Sequence, residues 1–182
     1  MVFDSKTITL KDGRRAVLRN PRPESDAAEL IRVLTQVCGE TEFLLRYPEE
    51  CDWTEERERE LLTENNASEN RLMLVCEVDG KIAGMCGLNL YTQIKFRHRA
   101  DVDIALLRQY WDLGIGTAMF NAMIRVARER KVGQIELDYI EGNARGRALY
   151  DKMGFVEVAE RPDAVRLKDG GMRKLICMIK RL

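Results

Sequence analysis

Apolar residues recur at two different spacings along this chain, and the switches between them lay out its elements. Over residues 24–37, Ala27, Leu30, Ile31 and Leu34 fall three or four apart, which is the spacing of one helical face. Pro23, Ser25 and Asp26 mark the start of that helix. Thr54, followed by Glu55, Glu56 and Arg57, predicts a capped second helix reaching about Asn65. Ile115, Ala118, Met119, Ala122, Met123, Val126 and Ala127 draw the apolar stripe of a third, ending near Gly133, and "NARGRALYDKM" predicts a short fourth. Elsewhere the period drops to two. "TITL" and "RAVLR" flank Asp12-Gly13, and "RLMLVCEV" and "KIAGMCGLNLYT" meet at Asp79-Gly80, both hairpin-turn dipeptides. "RADVDIALL", "QIELDYI", "FVEVAER" and "MRKLICMIKRL" predict further strands. With no repeat, low-complexity stretch or linker, the expectation is one mixed α/β domain over residues 1–182.

Composition removes several chemistries. Thirty Lys and Arg balance thirty Asp and Glu, so no global field draws the chain to nucleic acid or to an anionic membrane. The first ten residues lack the pattern of a signal peptide, and no apolar run approaches a membrane span. Cys38, Cys51, Cys76, Cys86 and Cys177 are odd in number and form no CxxC pair, which suits reduced core thiols in a cytoplasmic protein. His98 is the sole histidine, too little for a usual zinc shell, so no metal is expected. No nucleophile motif accompanies it.

Gly114 and Gly116 stand at the mouth of the third helix, where unpaired N–H groups and a positive partial charge can cradle a phosphate. A plain tight turn is the other reading. A P-loop is excluded because Thr117 and Ala118 follow Gly116, and a dinucleotide fingerprint because Met119 stands where its third glycine belongs.

A second stretch, "EGNARGRALYDKMGF", follows the next strand. Together the two resemble the Gcn5-related N-acetyltransferase (GNAT) superfamily. Its motif Q/R-x-x-G-x-G/A falls on Trp111 to Gly116, with both glycines matched and Trp111 in place of Gln or Arg. Its motif N-x-x-A-x-x-L-Y-x-x-x-G-F is matched at Asn143, Leu149, Tyr150, Gly154 and Phe155, with Gly146 at the alanine position. The likeness is strong from Arg71 to Val158.

The resemblance implies a twisted, mostly antiparallel sheet of six or seven strands with about four helices. Two parallel strands, ending near Leu107 and Ile140, are splayed apart. It implies an acetyl-CoA-dependent N-acetyltransferase acting on a primary amine of a small molecule or peptide; the alternative is a catalytically silent CoA-binding sensor or scaffold. It assigns the pantetheine arm to backbone at Leu106, Leu107 and Arg108, with an N–H near Leu106 facing the developing oxyanion. The pyrophosphate falls to the N–H groups of Leu113, Gly114, Ile115, Gly116, Thr117 and Ala118, and a bulky side chain at Gly116 is expected to block its approach. Asn143 is a helix N-cap that also touches the pantetheine. Arg145 and Arg147 are either surface charge or contacts to the 3′-phosphate. Tyr150 is the general acid for the departing thiolate, or else a core aromatic.

The general base stays open. Many relatives carry it on the strand before the glycine turn, where Ala100 and Val102 stand, while strand alternation turns Asp101 and Asp103 to the other face unless a bulge shifts the register. Glu40 and Glu42 are the leading candidates, Asp138 another, and a water chain without a dedicated base a fourth. Segment 38–53 carries Phe43, Tyr47, Glu49, Glu50 and Trp53, which suits a cationic acceptor if it lines that site. Oligomeric state is open, with a homodimer through the final strand as one arrangement the family shows.

Overall fold

A computed structural model describes all 182 residues. The elements run β1 (Lys6–Thr9), β2 (Arg15–Arg19), α1 (Pro23–Glu40), α2 (Glu55–Ala67), β3 (Arg71–Val78), β4 (Lys81–Leu90), β5 (Arg99–Leu106), α3 (Ile115–Glu129), β6 (Gln134–Ile140), α4 (Ala144–Lys152), β7 (Val156–Arg166) and β8 (Met172–Arg181). Short 310 turns lie at Pro48–Glu50 and Arg108–Tyr110. No helix is long and apolar enough to cross a membrane.

All the strands join one eight-stranded sheet, in the order β1-β2-β3-β4-β5-β6-β8-β7. Eight replaces the expected six or seven because both terminal hairpins, β1–β2 and β7–β8, add their full pairs to the edges. Local chemistry places the turns and helix starts. Asp79 and Gly80 both take positive φ, 51° and 75°, as a two-residue hairpin turn requires. The Thr54 hydroxyl accepts the Arg57 N–H at 3.2 Å and opens α2.

The feature that positions the site is the parting of β5 and β6. They are the sheet's parallel neighbours, and they pair only at Arg99↔Gln134, Ala100↔Ile135 and Asp101↔Glu136. Beyond that, each follows another partner. β5 stays with β4 as far as Gly84↔Leu106. β6 stays with β8 as far as Ile140↔Leu175. Glycines hold β4 close: a Cβ at Gly84 would collide with the Ala105 and Leu106 backbone. A gap therefore opens between the C-terminal halves of β5 and β6.

Helix α3 covers one face and buries Ile115, Met119, Phe120, Met123 and Ala127 against the sheet. On the other side α1 is pinned by a buried ion group. The Arg19 guanidinium, on β2, donates to Asp26 on α1 at 2.5 Å and to Glu77 on β3 at 2.6 Å. Asp26 also accepts the Arg22 N–H at 2.7 Å. Burial opposes charge on Asp26, and Arg19 with the Arg22 amide more than offsets it, so its pKa is lowered.

Candidate active site

The backbone of β5 supplies the first part of the site. Leu107 N–H bonds Ala83 at 3.0 Å, and Tyr91 N–H bonds Arg99 at 3.3 Å. In an antiparallel ladder this commits the odd residues of β5 to β4 and turns the N–H and C=O groups of Ile104 and Leu106 toward β6. Since β6 has already departed, those groups face the gap. Of the three residues expected there, Leu106 alone qualifies. The Leu107 N–H belongs to the ladder, and the Arg108 N–H is held by the Glu40 carboxylate at 2.6 Å. Ile104 joins the site in their place. The Leu106 carbonyl accepts the Trp111 indole N–H at 2.9 Å.

The glycine turn supplies the second part. Gly114 has φ 92° and is the N-cap of α3. From Asp112 through Thr117 no N–H finds an acceptor in the protein; the Ala118 N–H, expected in this array, instead closes the first helical turn on the Gly114 carbonyl at 3.1 Å. A Cβ on Gly114 would meet nothing within 4 Å, so glycine is required here for its backbone. At Gly116 a Cβ would lie 2.9 Å from Leu149 Cδ2, so its small size also lets α4 pack on α3, while Gly116 itself lines the cavity. Gly114→Ala is expected to cost about 1–2 kcal/mol through the left-handed conformation. A thermal melt checks this, and a parallel CoA titration should show weaker binding as the N–H array shifts.

These parts border a cavity of about 870 Å³ lined by Ile104, Leu106, Trp111, Thr117, Asn143 and Tyr150, among others. Lys11, Arg145 and Lys152 stand at it with one acid, Asp112, so its local charge is positive although the chain is neutral overall. Asn143 caps α4, its Oδ1 accepting the Gly146 N–H at 2.9 Å. A Cβ at Gly146 would lie 2.6 Å from Asn143 Nδ2, which accounts for glycine at the alanine position. Arg147 is not in the cavity wall. It sits beside Glu157 at 3.3 Å and Asp151 at 3.6 Å, half exposed.

Tyr150 is buried and also borders the cavity. Its ring is buried in an aromatic cluster, 5.8 Å from Phe120, 5.9 Å from Tyr139 and 6.4 Å from Phe155 between centroids. No hydrogen bond joins its hydroxyl to another group of the protein. Burial, and next the negative charge of Asp103, push its pKa up to about 12.

Asp103 was set aside on the ground of strand alternation, and the structure shows what surrounds it. Ile104 and Leu106 face α3 and α4, close to Gly116, so alternation puts Asp103 on the opposite face. That face is not closed off from the gap. Asp103 lies two residues past the last β5–β6 pair, folded over Gly87, whose Cβ would come within 2.5 Å of its carboxylate. Its side chain reaches solvent, yet enclosure by surrounding protein, with Asp101 adding like charge, raises its pKa. The sequence shows the aspartate, but not that it lies just beyond the point where the parallel strands separate.

The carboxylates expected to act as base are placed otherwise. Glu40 is committed to the Arg108 amide, and the Arg108 guanidinium bonds its carbonyl. Glu42 is exposed and has no partner in the protein. Asp138 is paired with Arg161. In segment 38–53 Phe43 reaches the cavity, but Tyr47 and Glu49 bond Lys168 in the β7–β8 turn, Glu50 bonds the Tyr47 N–H and Trp53 bonds Glu58.

A sheet opened between two parallel strands, with an unpartnered N–H array at a glycine-capped helix beside the opening, is the architecture of an acyl-CoA-type N-acyltransferase. A model of the acetyltransferase (GNAT) family matches residues 40–155, more than half of the chain, and the chain belongs to that family. An acetyltransferase of the GNAT family from Streptococcus pneumoniae superposes with a TM-score of 0.85 at 26% identity, covering 92% of this chain and 99% of that one. A Salmonella typhimurium structure, yncA, obtained with its cofactor acetyl-CoA, shares the fold at a TM-score of 0.78 and 17% identity, over 92% of this chain and 94% of that one. An N-alpha-acetyltransferase of Sulfurisphaera tokodaii is 36% identical over 95 residues, 46% of this chain. The chain spans 56% of the length of that curated relative.

Proposed function

We propose that this protein transfers an acetyl group from acetyl-CoA to a primary amine of a small molecule or peptide. The observation that carries the reading is Tyr150, which lines the cavity where the β5 edge lies open and whose hydroxyl makes no hydrogen bond within the protein. The open N–H array from Asp112 to Thr117 and the cations at the mouth fit the phosphates of CoA. Bound acetyl-CoA supplies an activated thioester. The Leu106 N–H, turned into the gap, would polarise a carbonyl placed there. The five free thiols suit a reducing compartment, the cytoplasm.

Two groups of the chain would then manage the protons. Asp103, on the face opposite the cofactor cavity, would accept the proton of the incoming amine, and Tyr150 would donate toward the departing thiolate. They act in sequence because their charges are coupled. At rest, Tyr150 at about 12 is a poor donor to a thiolate whose conjugate acid ionises near 8.5, a gap of about 5 kcal/mol. Part of that gap comes from the negative charge of Asp103. Once Asp103 has taken a proton, that charge is gone and Tyr150 becomes a stronger acid at the moment a proton is needed. The same pair speaks against a catalytically silent module, which has no use for it.

Asp103→Asn is therefore expected to lower kcat by about 10²-fold or more. The acid limb of the wild-type kcat–pH profile should lie above the ordinary aspartate range, because Asp103 is raised, and should vanish in the variant. Calorimetric titration with CoA, ATP and NAD tests the binding half of the proposal: CoA alone should bind. Binding of ATP or NAD in place of CoA would reject it.

A further inference from the structure

Trp111 stands where related motifs carry Gln or Arg, so the cradle lacks its polar side chain at that position. The structure brings one in from α4. The Arg145 guanidinium lies over the Trp111 ring, 4.7 Å from its centroid, and donates to Asp112 Oδ1 at 2.6 Å. Trp111 is itself fixed, since its indole N–H holds the Leu106 carbonyl and Arg108 packs 5.6 Å from its ring centre. Arg147, one turn face away, is drawn off by Asp151 and Glu157, which leaves Arg145 as the α4 arginine in the cavity wall.

The Arg145–Asp112 pair is unusual in where it sits. Asp112 opens the run of unpartnered N–H groups, and its own φ is 61°. Its carboxylate thus stands beside the place that a phosphate would take, where a negative charge opposes binding unless a cation covers it. Both members are largely exposed, 52% for Arg145 and 75% for Asp112, so the pair is weak and readily exchanged. A guanidinium stacked on an indole keeps its planar donor edge free, and that edge matches two phosphate oxygens.

Building on the proposed use of CoA, we infer that Arg145 is a pyrophosphate-gripping residue held in readiness: Trp111 positions its guanidinium, Asp112 occupies it in the free protein, and the incoming pyrophosphate takes it over. The polar side chain, Gln or Arg, that the motif places in the turn is thereby replaced by a cation from the next helix. Asp112 sets the affinity by competing for it.

The test is binding, without turnover. CoA, dephospho-CoA and pantetheine are titrated by calorimetry into the wild type, Arg145→Ala and Asp112→Asn. Arg145→Ala should weaken CoA and dephospho-CoA alike, by about tenfold, and leave pantetheine unchanged. Asp112→Asn should tighten both phosphate-bearing ligands several-fold, and asparagine tolerates its positive φ. Trp111→Leu should reproduce most of the Arg145→Ala loss, whereas Trp111→Phe, which keeps a ring under the guanidinium, should retain more affinity. Unchanged CoA affinity in Arg145→Ala overturns the inference, as does weakened binding in Asp112→Asn. A loss seen with CoA but not with dephospho-CoA moves Arg145 to the 3′-phosphate and overturns it too. Failure of the wild type to bind CoA at all is a different outcome, which rejects the functional reading beneath it.

Discussion

Tyr150→Phe should slow acetyl transfer by about 10²–10⁴-fold, the usual range for a positioned general acid, while CoA affinity holds. The substitution removes one hydroxyl and keeps the ring that packs on Phe120, Tyr139 and Phe155. Because that hydroxyl makes no hydrogen bond within the protein, its loss orphans no donor or acceptor, and the melting temperature should barely move. Two considerations place the effect near the lower end. A thiolate leaves tolerably well unaided, and the phenol starts from a pKa of about 12. Turnover and melting temperature measured on the same sample separate the outcomes. A near-normal rate with a lowered melting temperature would make Tyr150 a core residue and nothing more.

Arg19→Ala should produce the largest loss of stability, about 3–5 kcal/mol, because it strands the buried Asp26 carboxylate without its cation. In a chain of this length that corresponds to a fall in melting temperature on the order of 10 °C. The pH dependence has a definite sign. Asp26 ionises below its ordinary range in the fold, so its contribution is present above the unfolded aspartate pKa, near 4, and is lost as the pH falls through the folded value. The gap between the two proteins should therefore be full at neutral pH and narrow in acid. A gap that stays constant down to pH 3 would mean that lost packing, not an uncompensated charge, accounts for the change. The site should survive at permissive temperature, since Arg19 joins β2, α1 and β3 and touches nothing in the cavity.

Much of the fold was legible because local rules and tertiary packing agree. Asp79-Gly80 demands two positive φ angles, Thr54 offers a cap, and the stripe from Ile115 to Ala127 needs a sheet to cover it. The glycine turn was legible for the same reason at Gly114; at Gly116 the structure adds a constraint, the packing of Leu149 from α4, that no local pattern encodes. The geometry of the candidate site was legible where it rests on backbone and cap chemistry, in the edge at Leu106 and the α4 cap at Asn143. It was not legible where a distant partner decides. Glu40 looked free until the Arg108 amide, far along the chain, was seen to hold it. Arg147 looked equivalent to Arg145 until Glu157 drew it aside. Asp103 was set aside by alternation, which is correct about its face. Alternation says nothing about where two neighbouring strands separate, and that point decides what Asp103 can reach.

The most direct test of the whole account is to follow the acetyl group itself. The protein is incubated with acetyl-CoA labelled in the acetyl carbon and a mixed panel of primary amines, including peptide N-termini, and both products are quantified. The account predicts a labelled amide on at least one amine, formed in equal amount with free CoA thiol and suppressed in Tyr150→Phe. Thiol release without labelled amide, or CoA binding with neither product across the panel, would contradict it.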